Sequence, residues 1–353
     1  MVPYYILVFA PFLCSLIMKQ NNYEENKVAR KVTMSVFFLI FLLLLAFRDE
    51  MCGQDMLNYK NFFANAQYTS WGVELKPMDE PGYFYLQKLF HEVSSSFHAF
   101  TAFVAFASIL PWWVLYSKES DNTVLTIAVF LAVAPFSMFF SGLRQILAMA
   151  FVVPAWNCAK KKKWIGFVLC VLVAFTMHSS AWIIAALLPL YYLKITKKWL
   201  IPLGGVMAGV LVLSRPIMEF VVSIMGEQYV LGMTDTNAYT ILILLLLFAA
   251  YTFFIPDESK MDRDTVAMRN ILVFTILIQC FAPVHTLAMR MNYYFLPFIP
   301  LLISRVSHRA RYALEQVATI ANIVMIVFFT FWFFRTLTLN DNLNIVPYTT
   351  WLF

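Results

Sequence analysis

Residues 123–159 read TVLTIAVFLAVAPFSMFFSGLRQILAMAFVVPAWNCA, 37 positions with a single charge, Arg144. An amphipathic surface helix keeps a polar face, and this run has none. It is long enough for two crossings of a hydrocarbon core at about 20 residues each. The rest of the chain has the same character. Of 353 residues, 61% are hydrophobic and 13% charged, with 35 Phe, 17 Tyr and 9 Trp. Soluble domains carry about 45–50% apolar and about 25% charged residues. The sequence therefore predicts an all-α polytopic membrane protein.

Working outward from that run, apolar segments fall at 2–18, 32–47, 97–117, 122–140, 142–159, 164–178, 179–193, 199–214, 239–255, 270–283, 286–304 and 317–334. These predict about twelve transmembrane helices. The chain reads as a single integral membrane domain over 1–353, with long extracytoplasmic loops at 48–97 and 215–238. Residues 1–18 lack a basic leader and a small-residue cleavage site, so they read as the first span.

Charge sets the orientation. The loops 19–31, 117–121, 160–163, 194–198, 256–269 and 305–316 hold 18 of the 26 Lys and Arg. The positive-inside rule places them in the cytoplasm and both termini outside. Lys160–Lys163 is then a topological anchor. The opposite face holds 8 cations against 11 carboxylates. Its first loop, at about 50 residues, is too long for a connector. Aromatics at helical spacing in 56–63 and 82–90 predict short interfacial helices flanking a cleft.

Several classes are excluded. No polar stretch is long enough for a soluble catalytic domain, and no basic stripe interleaved with aromatics points to nucleic acid. The five cysteines form no CxxC pair, so neither a disulfide framework nor a zinc site is predicted. Walker A, HExxH and GxSxG motifs are absent.

Five segments on the outer face place polar groups where lipid disfavours them. Arg48-Asp49-Glu50-Met51-Cys52-Gly53-Gln54-Asp55 holds a cation, three carboxylates and a Gly turn. Asp55 is placed to cap the next helix, with Tyr59 one turn on. Asp79-Glu80-Pro81-Gly82-Tyr83 has the form of a helix start, with Pro at its first position. In Ser141-Gly142-Leu143-Arg144-Gln145, Ser141 as N-cap puts Arg144 in a first helical turn, where the dipole favours an anion. His178-Ser179-Ser180 marks a turn between two short spans and offers a base or donor near neutral pH. Arg290, with Tyr293 and Tyr294 at i+3 and i+4, repeats the arginine-at-a-helix-end pattern. Two such arginines, buried at helix N-termini, form a pyrophosphate clamp, because guanidinium binds phosphate oxygens bidentately and keeps its charge in low dielectric.

Taken in this order, Arg48…Gly53-Gln54-Asp55…Tyr59, Glu80-Pro81-Gly82-Tyr83, Gly142-Leu143-Arg144-Gln145, His178-Ser179-Ser180 and Arg290…Tyr293-Tyr294 resemble the EpsG family. This is a Wzy-like group of bacterial polysaccharide polymerases. The family usually has Val-Gly-Thr-Asp where this chain has Cys52-Gly53-Gln54-Asp55. The resemblance implies glycosyl transfer at the outer face of a bacterial cytoplasmic membrane. An oligosaccharide on undecaprenyl pyrophosphate would move onto the terminal hydroxyl of another lipid-linked repeat unit, making exopolysaccharide, capsule or O-antigen. Donor, acceptor, membrane lipid and a chain-length regulator protein are the expected partners.

That reaction assigns roles. Arg144, Arg290 and Arg48 are expected to stabilise the leaving pyrophosphate. Asp55, His178 and Glu80 are the candidate catalytic bases, with Asp55 and His178 first. Tyr59, Tyr83, Gln145 and Tyr294 are expected to bind sugar. No cofactor and no metal are expected, since the arginines supply the positive charge. Two rivals are a glycosyltransferase using a polyprenyl-monophosphate sugar, with Asp49 or Glu50 as base, and a flippase for lipid-linked oligosaccharide. Transporters often show internal repeats and charges at the midplane. This chain shows no clear duplication, and its intramembrane charges cluster at one face.

Overall fold

The computed structural model describes residues 1–19, 27–133, 135–225, 232–234, 239–255, 261–311, 315–339, 341 and 343–352. Among them the chain is helical, with two isolated β-bridges and no strand. In order the helices are α1 (Val2–Lys19), α2 (Lys27–Phe47), α3 (Met56–Ala66), α4 (Pro81–Val93), α5 (Phe97–Glu119) and α6 (Thr123–Val133). There follow α7 (Met138–Ser141), α8 (Leu143–Ala150), α9 (Val152–Lys160), α10 (Trp164–Met177), a 3₁₀ helix (Ser179–Ala186) and α11 (Leu187–Tyr192). The chain continues through α12 (Leu200–Met225), α13 (Tyr239–Phe254), α14 (Arg263–Gln279), α15 (Thr286–Asn292), α16 (Phe298–Arg311) and α17 (Glu315–Leu339).

Among the described residues, four helical segments are long and apolar enough to cross a membrane: Lys27–Phe47, Phe97–Glu119, Lys197–Ile224 and Glu315–Leu339. Shorter apolar helices include Val2–Met18, Thr123–Val133, Trp164–Met177, Ser179–Tyr192 and Tyr239–Phe254. Their outward surfaces are apolar. Ile201 and Val212 of α12 are 88% and 80% exposed, a surface that water would not tolerate on this scale. The protein is a multi-pass membrane protein.

The run that opened the sequence reading is where the expected spans fail. Residues 122–140 and 142–159 are not two continuous helices. They form α6 to α9, broken at 135–137, Gly142 and Phe151. Pro135 has no N–H to continue α6, and Pro154 removes the bond that Ala150 would accept. Likewise 286–304 divides into α15 and α16, with Pro297 in the break. The expected span 199–214 continues to Met225, so the first part of the expected loop 215–238 is helical. Residues 226–231 and 235–238 of that loop lie outside the described residues. The two short helices expected in the first loop are present as α3 and α4.

α6 is buried on nearly every side and packs against α16 and α17, while α2 packs on α1 and α5. A helix apolar all round belongs in such a centre. The helix ends then sort by charge. Arg30 donates to the Ser120 carbonyl (3.3 Å) and Arg269 to the Ile195 carbonyl (2.8 Å). Arg305 pairs with Glu119 and Asp262, and Lys160 with Asp264. The six loops that charge counting grouped together therefore meet at one end. At the other end lie loop 48–97 and residues 343–352, joined by Gly53 N–H to the Asn344 carbonyl (2.9 Å) and Gln54 N–H to the Leu343 carbonyl (2.8 Å).

Candidate active site

Glu80 is the hub at this second end. Pro81 starts α4, and the residue before it takes a left-handed backbone, φ 58 and ψ 56. For a non-glycine residue this costs on the order of 1–3 kcal/mol and persists only when its surroundings enforce it. The enforcement is visible. Glu80 Oε2 accepts from Arg144 Nη1 at 2.6 Å. Its Oε1 lies 2.6 Å from His178 Nδ1 and accepts the Ser179 N–H at 3.0 Å. The carboxylate stands at the N-cap position of α4 yet makes no cap bond, because those partners occupy it.

Its side chain is 6% exposed. Burial by itself raises a carboxyl pKa, but the His178 hydrogen bond, the charges of His178 and Arg144, and the Ser179 amide outweigh it. The net result is a Glu80 pKa pulled down to about 2. The group is ionised across the physiological range, and an ionised carboxylate only accepts. His178 Nδ1 is therefore the donor.

α10 and the 3₁₀ helix bring His178 to this point. α10 ends at Met177, and His178 adopts an extended backbone before the 3₁₀ turn begins. The close approach of α4 to α10 depends on Gly82, whose missing Cβ would overlap Thr176 Oγ1 and sit 2.8 Å from Thr176 Cβ. Arg144 projects from the first turn of α8, with Gly142 rather than Ser141 in the N-cap position. Its Nε donates to Tyr59 Oη at 3.4 Å, and the side chain remains 42% exposed. Nη2 makes no hydrogen bond among the described residues and keeps solvent contact.

The expected site residues thus divide. Glu80, His178, Arg144 and Tyr59 form one contact network. Gln145 Nε2 donates to the Arg290 carbonyl at 2.6 Å, which seats Arg290 beside α8. Arg290 is exposed and lies in the last turn of the seven-residue α15, so it does not sit buried at a helix N-terminus as its spacing predicted. Its side chain makes no hydrogen bond or ion pair among the described residues. Asp55 does not cap α3. Its Oδ2 accepts from Ser141 Oγ at 3.1 Å, and its N–H donates to the same oxygen at 3.1 Å.

Two groups of the expected site residues are buried. Tyr59, Tyr83 and Tyr294 are 6%, 4% and 0% exposed, leaving no ring face for stacking on sugar. Tyr59 and Tyr83 pack edge to face at 5.9 Å, and Tyr294 Oη bonds Ser180 Oγ at 3.1 Å. They form the apolar wall of the site. Gln145, at 1% exposure, is a brace. Arg48 is also only 1% exposed, against Met56 Sδ (3.5 Å) and the Phe140 ring (5.6 Å), with Nε and Nη1 unpartnered among the described residues. The segment 343–351 covers it: Tyr348 donates to the Leu44 carbonyl and Trp351 to the Ala46 carbonyl. No aqueous face is left for a phosphate.

Sequence reasoning missed the Ser179 amide, the Ser141 hydroxyl and the covering segment 343–351. The first two are generic groups whose partners lie 86 or more positions away. Gly82 directly after a helix-starting Pro was the available signal for the α4–α10 approach. Among the described residues, no group of three or more His, Cys, Asp or Glu stands in a metal-binding arrangement.

A family model described as EpsG family matches residues 31–350. No curated protein and no solved structure matches the chain.

Proposed function

The chain belongs to the EpsG family of Wzy-like polysaccharide polymerases, and from that premise we propose that it joins lipid-borne oligosaccharide repeat units by glycosyl transfer. In this reading the donor hangs from undecaprenyl pyrophosphate, and the reaction takes place at the outer face of a cytoplasmic membrane. The observation that carries the reading is the presence of two accessible guanidinium groups at one end of the helix bundle. Arg144 keeps an exposed edge, and Arg290, whose backbone carbonyl is held beside α8 by Gln145, is exposed and makes no side-chain hydrogen bond or ion pair among the described residues.

Pyrophosphate leaves as a stable anion, so the transfer asks mainly for positive charge where negative charge grows. A preorganised donor in such a place is typically worth about 3–4 kcal/mol. The monophosphate-sugar rival gains no support from its proposed bases. Asp49 Oδ1 accepts the Met51 N–H (2.8 Å), the Cys52 N–H and the Thr349 hydroxyl, while Glu50 pairs with Lys60.

The test is incubation of the purified protein in lipid vesicles with a synthetic undecaprenyl-pyrophosphate repeat unit, with and without EDTA. A ladder of products is expected in both arms. Transfer of a single sugar from a monophosphate carrier, or translocation with no new glycosidic bond, would replace the proposal. Loss of the ladder in EDTA would overturn the metal-independent form of it.

A further inference from the structure

The geometry points to His178 Nε2 as the proton acceptor of this site, with Glu80 as the residue that positions it. This inference rests on the glycosyl-transfer reading and narrows it, since three side chains were candidates for the base.

Glu80 is the poorer base because both its oxygens already accept from protein and the carboxyl is held strongly acidic. Oε2 accepts from Arg144, and Oε1 from both His178 and the Ser179 amide. The same carboxylate fixes the histidine. An acceptor-only carboxylate at 2.6 Å from Nδ1 requires the proton on Nδ1, which leaves the lone pair of the neutral ring on Nε2. Nε2 makes no hydrogen bond among the described residues and is not sealed from solvent. A carboxylate behind one imidazole nitrogen and an open second nitrogen is the arrangement that orients a base and stabilises its protonated form. Asp55 is held by the Ser141 hydroxyl, which neither fixes a proton nor balances one.

The step is a single displacement. The acceptor hydroxyl gives its proton to Nε2 while its oxygen bonds the anomeric carbon of the donor. The bond from that carbon to the pyrophosphate oxygen breaks, and its electron pair leaves with the lipid pyrophosphate toward Arg144 and Arg290. The imidazolium forms 2.6 Å from the Glu80 carboxylate and later passes its proton to water.

Two measurements on the full chain decide the matter. The first is reaction with diethyl pyrocarbonate, which acylates an unprotonated imidazole, read at His178 by mass spectrometry between about pH 5 and pH 8. The charged and titratable groups around the pair are Glu80, Arg144, Tyr59, Tyr83, Tyr294 and Arg290, and only Glu80 is changed. At pH 8, Glu80→Gln should slow modification about threefold or more, since a carboxamide can donate to Nδ1 and no longer holds the proton there. An unchanged rate, or a His178 inert to the reagent in the unaltered protein, overturns the inference.

The second is turnover of the lipid-linked repeat unit. His178→Asn keeps a donor toward Glu80 but has no base, and should lose about 10²–10⁴-fold. Glu80→Gln should lower kcat with little change in KM, in parallel with the slower modification. A His178→Asn variant within threefold of the unaltered protein, beside an inactive Asp55→Asn, would assign the base to Asp55. If the unaltered protein makes no ladder while Glu80→Gln still slows modification of His178, the polymerisation reading fails and the Glu80–His178 pairing stands.

Discussion

Arg144 and Glu80, 64 positions apart in the chain, meet at 2.6 Å, one side chain 42% exposed and the other 6%. The asymmetry matters more than the pairing itself. The buried partner accepts from protein at both oxygens, while the exposed partner is only partly used. One edge of the guanidinium holds the site together and the other faces out.

Arg144→Ala should reduce polymer at least 100-fold while the protein remains in the membrane fraction. Part of that loss is structural, because it strips Glu80 of a paired cation. Arg144→Lys with Arg290→Lys separates the two effects. It keeps both charges and removes the planar fork, and is expected to lose about 10–100-fold. Polymer of normal length and yield from the double lysine variant would exclude bidentate recognition.

Acid should weaken the fold through Glu80. Its carboxyl titrates at about 2 in the folded protein against an ordinary 4.5, so the folded state gains stability above pH 4.5. That gain, about 3 kcal/mol, disappears as pH falls toward 2. Melting of the protein in detergent between pH 5 and pH 3 should fall more steeply for the natural sequence than for Glu80→Gln. Parallel curves would mean that this carboxylate is not linked to folding.

Gly82→Ala should damage activity more than folding. Its Cβ would push against Thr176 and lift the start of α4 from the end of α10, separating Glu80 from His178. Overpacking of this kind costs about 1–3 kcal/mol. A melting temperature lowered by a few degrees, with turnover down more than tenfold, is the expected pattern. Thr176→Ala added to Gly82→Ala should recover part of the turnover.

Arg48→Met should leave polymer synthesis intact and keep or raise the melting temperature. The guanidinium is buried with two unpartnered nitrogens, and an apolar side chain of similar length is often neutral or stabilising in such a place. Loss of polymer from a variant with unchanged melting would restore Arg48 to the anion-binding groups.

The membrane class, the long first loop with its two short helices, and the sorting of helix ends into two groups were legible in the linear sequence. Each rests on a local physical quantity. Apolar length measures fit to a bilayer, aromatics at helical spacing mark an amphipathic face, and Lys and Arg gather where translocation is costly. Prolines were legible too. Pro135, Pro154 and Pro297 sit at the breaks that shortened the expected spans, a warning that an apolar run measures hydrophobicity and not helix continuity.

The residue types of the site were equally visible, and their roles were not. Arg48 and Arg144 look alike in sequence, each a lone arginine at the outer edge of an apolar run. Only the packing of segment 343–351 makes the first a core residue and leaves the second open to solvent. Glu80, read as part of a helix start, became the hub because α8 and α10 deliver Arg144 and His178 to its two oxygens. Asp55, read as a cap, found Ser141 instead. Hydrophobicity and charge sum along the chain and so can be read from it. The partner of a buried polar group depends on which helices pass within 3 Å of it, and that is decided only when the bundle closes.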